Sequence, residues 1–265
     1  MQTHRTLLFL VAVLTAVVLA QPALAGQLAE DSFSISFPVY ASGGSGFSGP
    51  WTVGGFNAFS AGYTQRVKSL CYPRLDTSGG SVSGDAFGAI NGTVRNLAQT
   101  LGAPNTTAYV SFLIQARGTL NDGVFNGFFG LTLNGSAGND LFIGKPGGGA
   151  LDQYVIENRG GANQIPSGLK VKVGKTELLV LKAQFMAGND VFTLYTNPAV
   201  GKPEPTSNVV KTDVDLGTVS KIGIYSTGAF VIDEIRIGTT FADVLPIRSH
   251  GDDDDDFPGC SGDHD

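Results

Sequence analysis

The sequence predicts an all-β fold, a two-sheet antiparallel β-sandwich of jelly-roll form. Three observations predict it. Short runs rich in β-branched and aromatic residues recur between clusters of Gly, Asn, Pro and Ser. Within several runs the side chains alternate between apolar and polar, the period of a strand with one buried face. Nothing between residues 26 and 247 holds a 3.6-residue period for three turns; one helical turn near Phe241–Leu245 is all the pattern allows. A jelly roll suits such a chain because folding double protects its exposed strand edges.

The clearest strand runs are 32–37, 109–117, 125–133, 141–143, 154–156, 178–185, 191–196, 222–225 and 229–237. In 109–117, Val110, Phe112, Ile114 and Ala116 share one face, with Ser111 and Gln115 on the other. In 191–196, Phe192 and Leu194 oppose Thr193 and Tyr195. Two connections repeat the same four residues, Ala137-Gly138-Asn139-Asp140 and Ala187-Gly188-Asn189-Asp190. Asn, Asp and Gly tolerate positive φ and suit hairpin tips, while their oxygens also suit a hard cation. The segments 41–50, 144–152, 158–168 and 197–212 read as longer loops, where a sandwich of this kind would read a ligand.

With 42% hydrophobic and 15% charged residues the chain has ample material for a core. Residues 1–25 read as a secretory signal peptide. His4 and Arg5 precede an apolar run from Leu7 to Leu19, and Ala23-Leu24-Ala25 gives a cleavage pattern. That run is short against the roughly 30 Å of a bilayer's hydrocarbon, and no later run is long enough for a membrane helix. The expected mature chain therefore starts at Gly26, and its expected location is secreted, extracellular or cell-surface, without membrane insertion.

Residues 26–247, the expected sandwich domain, carry 15 basic and 16 acidic side chains. A near-neutral body offers no long-range field for nucleic acid, which is not an expected partner. The acidity sits in residues 248–265, where Asp252–Asp256 repel one another and predict a solvated, disordered tail. Cys71 and Cys260 are the two cysteines. An exported chain meets an oxidising compartment, so a Cys71–Cys260 disulfide is expected, with free thiols or an intermolecular link as the alternatives. The three histidines, His4, His250 and His264, all lie outside 26–247. A histidine-dependent serine hydrolase is thereby excluded for the domain.

The string Phe230-Val231-Ile232-Asp233-Glu234-Ile235-Arg236-Ile237-Gly238-Thr239-Thr240-Phe241-Ala242-Asp243-Val244 resembles the closing strand of concanavalin A-like jelly rolls of the laminin-G-like type. In its longer form it is similar to a group of exported bacterial proteins of unassigned function. Tyr109-Val110-Ser111-Phe112-Leu113 and Leu141-Phe142-Ile143-Gly144-Lys145 fit the same group, and the likeness covers most of 30–246. The wider superfamily includes lectins, glycan hydrolases and adhesion modules, so the resemblance implies a fold more firmly than an activity.

Glucanases of that superfamily carry two carboxylates on one strand face as Glu-x-Asp-x-x-Glu. The only comparable string here is Glu234-Ile235-Arg236-Ile237-Gly238, with Arg236 where a second carboxylate belongs. The chain is accordingly expected not to be an enzyme. Period 2 puts Asp233 with Val231, Ile235 and Ile237 on the more apolar face of its strand, where a carboxylate must be paired or bound to a cation. Pairing of the first and last strands would bring Asp31 close, giving an expected structural calcium on Asp31 and Asp233. Capping of backbone amides by Asp233 is the alternative. Trp51, the only tryptophan, is the candidate ligand residue, because an exposed indole stacks on sugar rings, with Tyr63, Tyr154 and Tyr195 as helpers. The alternative places Trp51 in the core. The resulting expectation is a lectin-like module that binds a polysaccharide or glycan without catalysis. A structural cell-surface or extracellular matrix protein with no small ligand is the alternative.

Overall fold

Strands succeed one another from Gln27 to Gly238, most of them built on a two-residue alternation. The computed structural model describes residues 26–34, 43–53, 63–84, 91–117, 127–149, 152–206, 209–227 and 230–248. The predicted leader 1–25, the predicted tail beyond Arg248 and Cys260 lie outside the described residues, as do residues 35–37 of the first predicted strand.

The strands are β1 (Gln27–Asp31), β2 (Thr52–Val53), β3 (Tyr63–Arg66), β4 (Ser81–Gly84), β5 (Asn91–Leu101), β6 (Thr106–Ala116), β7 (Phe129–Gly135) and β8 (Asp140–Lys145). They continue with β9 (Gln153–Asn158), β10 (Ala162–Lys170), β11 (Thr176–Phe185), β12 (Val191–Thr196), β13 (Val209–Lys211), β14 (Val219–Ser226) and β15 (Phe230–Gly238). One 3₁₀ turn, Ala242–Val244, follows where a helical turn is expected. All the ladders are antiparallel. The first sheet runs β13-β12-β11-β6-β15-β4-β3, with β1 also on β15; the second runs β10-β9-β8-β7-β14-β5-β2. The chain is the two-sheet antiparallel sandwich its sequence predicts.

The main core lies between the sheets. Val110, Phe112, Ile114 and Ala116 of β6 face Leu131 and Leu133 of β7 and Ile222 and Ile224 of β14, all buried. Ring stacking joins the layers as well: Phe129 and Phe230 lie 5.0 Å apart with planes 3° from parallel. A second cluster packs on the outer face of the first sheet. It unites Leu113, Leu178, Val180 and Val231 with Leu70 and Leu75 and with Phe241, Val244 and Leu245. The 70–75 segment and the 3₁₀ turn are thus held by the alternate residues of strands whose other face forms the main core.

Both four-residue repeats form hairpin tips, with Gly138 at φ 84° and Gly188 at φ 102°. The aspartates that end them serve the turns themselves. Asp140 Oδ1 accepts from Gly135 N at 3.2 Å, and Asp190 Oδ1 accepts from Met186 N at 3.0 Å. Two predicted loops contain strands. The 158–168 segment is half of a β9–β10 hairpin, and the 197–212 segment includes β13. β10 is an edge strand with a mostly exposed or half-exposed pattern and Pro166 within it, so no apolar row announces it.

The closing strand β15 contains a bulge between Asp233 and Arg236, where Glu234 sits at φ 52°. The expected face, with Val231, Asp233, Ile235 and Ile237 together, does not survive it. Ile232, Ile235 and Ile237 face the main core, whereas Val231 packs in the outer cluster. One extra residue moves Asp233 to the outer face.

Candidate functional site

The predicted site residues divide between two places, and neither is the expected one. β1 pairs with β15, as the calcium expectation requires, with Asp31 opposite Ile235. Yet Asp31 points between the sheets. Its Oδ1 accepts from Phe33 N at 2.9 Å, and its Oδ2 accepts from Trp51 Nε1 at 2.8 Å and from Arg95 Nη1. Arg95 comes from β5 of the second sheet, stacks over Phe47 at 4.2 Å and donates through Nε to Gly49 O at 2.9 Å. Asp31 is 2% exposed and Trp51 1%. Burial raises the Asp31 carboxyl above its ordinary value, against the lowering by Trp51, Phe33 N and Arg95.

Asp233 lies on the other face of the sheet. Its Oδ2 accepts from Ser69 Oγ at 2.6 Å and Leu70 N at 2.8 Å, and its Oδ1 from Glu234 N at 2.7 Å. Burial, then the neighbouring Glu234, pushes its pKa well up. Glu234 in turn accepts from Ser78 N and from Arg236, which also donates to Asp76 O at 2.7 Å. These acids fasten the 69–78 segment to β15. The shared calcium site is corrected accordingly: the two aspartates face opposite sides of one sheet, and each is occupied by protein donors. Among the described residues no group of three or more His, Cys, Asp and Glu side chains converges as a metal site.

Trp51 is corrected on the same ground. Its ring packs between Phe33 and Phe47, with centroids 6.1 and 6.4 Å away, and its N–H is spent on Asp31, so it offers no face to a sugar. Tyr63 and Tyr154 are buried in the main core. Tyr195 is buried as well, but its hydroxyl donates to Glu204, which lines a cleft.

That cleft lies on the outer face of the first sheet and has a volume of about 470 Å³. Its floor is a cross-strand quartet. Tyr109 of β6 stands opposite Lys182 of β11, and Thr107 opposite Gln184. The loop after β12 supplies Lys202, Pro203 and Glu204, and the 239–242 segment closes the other side. Glu204 is the centre of the arrangement. Its Oε2 accepts from Tyr109 OH at 2.8 Å; its Oε1 accepts from Lys182 Nζ at 2.9 Å and from Tyr195 OH. Burial pushes this carboxyl up, but the donors Tyr195, Lys182 and Tyr109 together outweigh it and hold the pKa below the ordinary glutamate value. Burial, then the bonded carboxylate, raises both phenols. At neutral pH the cleft therefore presents an ionised carboxylate held in one fixed network by two protonated tyrosines, Tyr109 in the lining and Tyr195 behind it.

Alternation alone places Tyr109, Lys182 and Gln184 on outward strand faces. Glu204 stands in a Lys-Pro-Glu-Pro loop with no periodic signal, and only the folded chain brings it over the quartet.

No family model matches the chain, and no curated protein does. Solved structures are similar to it in architecture. An endo-1,3-beta-glucanase from Streptomyces sioyaensis is 10% identical, covering 82% of this chain and 97% of its own, with a TM-score of 0.48. The T. cruzi calreticulin globular domain is 12% identical, over 74% of this chain and 86% of that one, at 0.45. The exoplasmic/lumenal domain of VIP36 in its Ca2+-bound form is 10% identical, over 75% and 90%, at 0.41. The expectation that the chain is not an enzyme is corrected here. The structures similar to it include that glucanase, and the lack of one Glu-x-Asp-x-x-Glu string speaks to a single mechanism only. These likenesses are of architecture alone.

Proposed function

We propose that the chain is an exported carbohydrate-binding β-sandwich whose ligand is read in the cleft over β6 and β11. One observation carries this reading. The cleft combines a volume suited to a small ligand with a fixed carboxylate, the amide of Gln184 and the hydroxyls of Thr107 and Thr240. Sugars are recognised through arrays of that kind, because each ring hydroxyl both donates and accepts. The architectural neighbours, lectin-fold and glucanase-fold proteins, support the same reading. Export rests on the leader-like residues 1–25, and a Cys71–Cys260 bridge belongs to the proposal as the link expected in an oxidising compartment.

A glycan array followed by calorimetric titration tests it. Saturable binding that weakens several-fold in Gln184→Ala, with the melting temperature unchanged, is the expected result. Silence across the array overturns it in favour of a structural surface role. Peptide mapping without reductant reads the bridge: recovery of Cys71 and Cys260 as separate thiols removes it from the proposal.

A further inference from the structure

The hydrogen-bond balance of the cleft is unequal, and the inequality points to a ligand class. Both Glu204 oxygens already accept, from Tyr109, Tyr195 and Lys182. The cleft's one lining carboxylate is thus largely spent on protein donors, and its charge is matched by Lys182. A second cation remains. Lys202 lines the cleft, is exposed, and makes no side-chain hydrogen bond or ion pair with the described residues. Its ammonium group has three donors and no acceptor, and Lys182 uses one of its own three on Glu204. The amide of Gln184 and the hydroxyl of Thr107 are uncommitted among the described residues as well. The lining therefore carries Lys182 and Lys202 against Glu204 alone, in a body that is otherwise close to neutral.

Resting on the carbohydrate reading above, we infer that the cleft prefers anionic sugars: a carboxylate or sulfate on the saccharide pairs with Lys202, while the ring hydroxyls meet Gln184 and Thr107. The acceptor-rich ligand supplies what the donor-rich wall lacks. A lysine acts as a point charge and does not demand the bidentate geometry of an arginine, so uronate and sulfated sugars share this chemistry. The pair lies at the surface, so its contribution is modest and falls with salt.

The test titrates the full chain with three oligosaccharides of equal length: a uronate, a sulfated sugar and an uncharged sugar. At low ionic strength the anionic probes are expected to bind up to about fivefold more tightly than the neutral one. Lys202→Ala removes that difference, Lys202→Arg keeps it, and Lys202→Glu reverses it. Raising the salt to about 0.5 M also levels the three affinities in the unaltered chain. A preference shown by only one anionic probe assigns the ligand to carboxylate or sulfate within the class. Equal binding of neutral and anionic probes overturns the inference while the carbohydrate reading stands, and so does an anionic preference that survives Lys202→Ala. Failure of all three probes to bind overturns both. Lys202 is exposed, and an unchanged melting curve for each variant ties a loss of preference to the side chain rather than to folding.

Discussion

Asp31 and Glu204 are built from the same parts and end in opposite states. Each carboxylate holds a cation, Arg95 or Lys182, and each accepts from an aromatic donor, Trp51 or a tyrosine pair. Asp31 lies between the sheets and is almost fully buried; Glu204 lies in a cleft and is partly exposed. Burial wins at Asp31 and its pKa goes up, whereas the donors win at Glu204 and its pKa goes down. The comparison shows that partner count does not fix a carboxylate's behaviour; access to water decides whether the same partners make a clamp or a site.

Breaking the interior cluster gives the largest expected effect. Arg95→Met strands Asp31 between the sheets and is expected to cost about 3–5 kcal/mol, read as a fall in the urea midpoint. Asp31→Leu with Arg95→Met together is expected to recover most of that loss, because an apolar pair needs no ionic partner. A double variant as unstable as the single one would show that the cluster acts through packing and not through charge. Trp51→Phe deletes one donor to Asp31 and leaves a cavity, at an expected cost of about 2 kcal/mol by the same measurement.

Acidity sharpens the contrast. With Asp31 raised, the unfolded chain gives up that proton first as the pH climbs from 3.8, so this group removes stability on the way up. With Glu204 lowered, its contribution is complete above 4.5 and is lost as the pH falls through the lower folded-state value. Glu204→Gln is therefore expected to be less stable than the parent at neutral pH, by less than about 1 kcal/mol given its exposure. The two should converge below pH 4.5 in urea melts run from pH 3 to 7, and a gap that widens there would contradict the assignment. In Arg95→Met the opposite slope steepens. The smallest effect belongs to Lys202→Ala, whose stability should stay within about 0.5 kcal/mol of the parent in the same melts.

Much of the sandwich is legible in the sequence because a single buried face imposes a period of two, and β6, β11 and β12 show it openly. β5 and β10 escape for a common reason. The inward row of β5 includes Thr93 and Arg95 beside Leu97, and β10 is an exposed edge interrupted by Pro166, so neither offers an apolar row. Period two sets Asp233 on the wrong face because of one local event, the bulge at Glu234, which no count of alternating residues reveals, while the capping alternative holds, on Leu70 N and Glu234 N. Asp31 carries the calcium expectation, but the group it meets is Arg95, 64 residues away in sequence and on the other sheet. The cleft was the least legible part. Tyr109 and Lys182 meet only because the register of β6 against β11 sets them opposite, and Glu204 arrives on a loop.

The bulge in β15 has a mechanical consequence. Upstream of it the strand's edge is taken by β4, and downstream the same edge is taken by β1. The irregularity works as a splice: two short segments from distant parts of the chain share one rail because their joint is occupied by acid side chains instead of a ladder. Loosening that joint would free the 69–78 strap first and leave the sandwich beneath it closed, so amides of the strap should exchange with solvent well before those of β6.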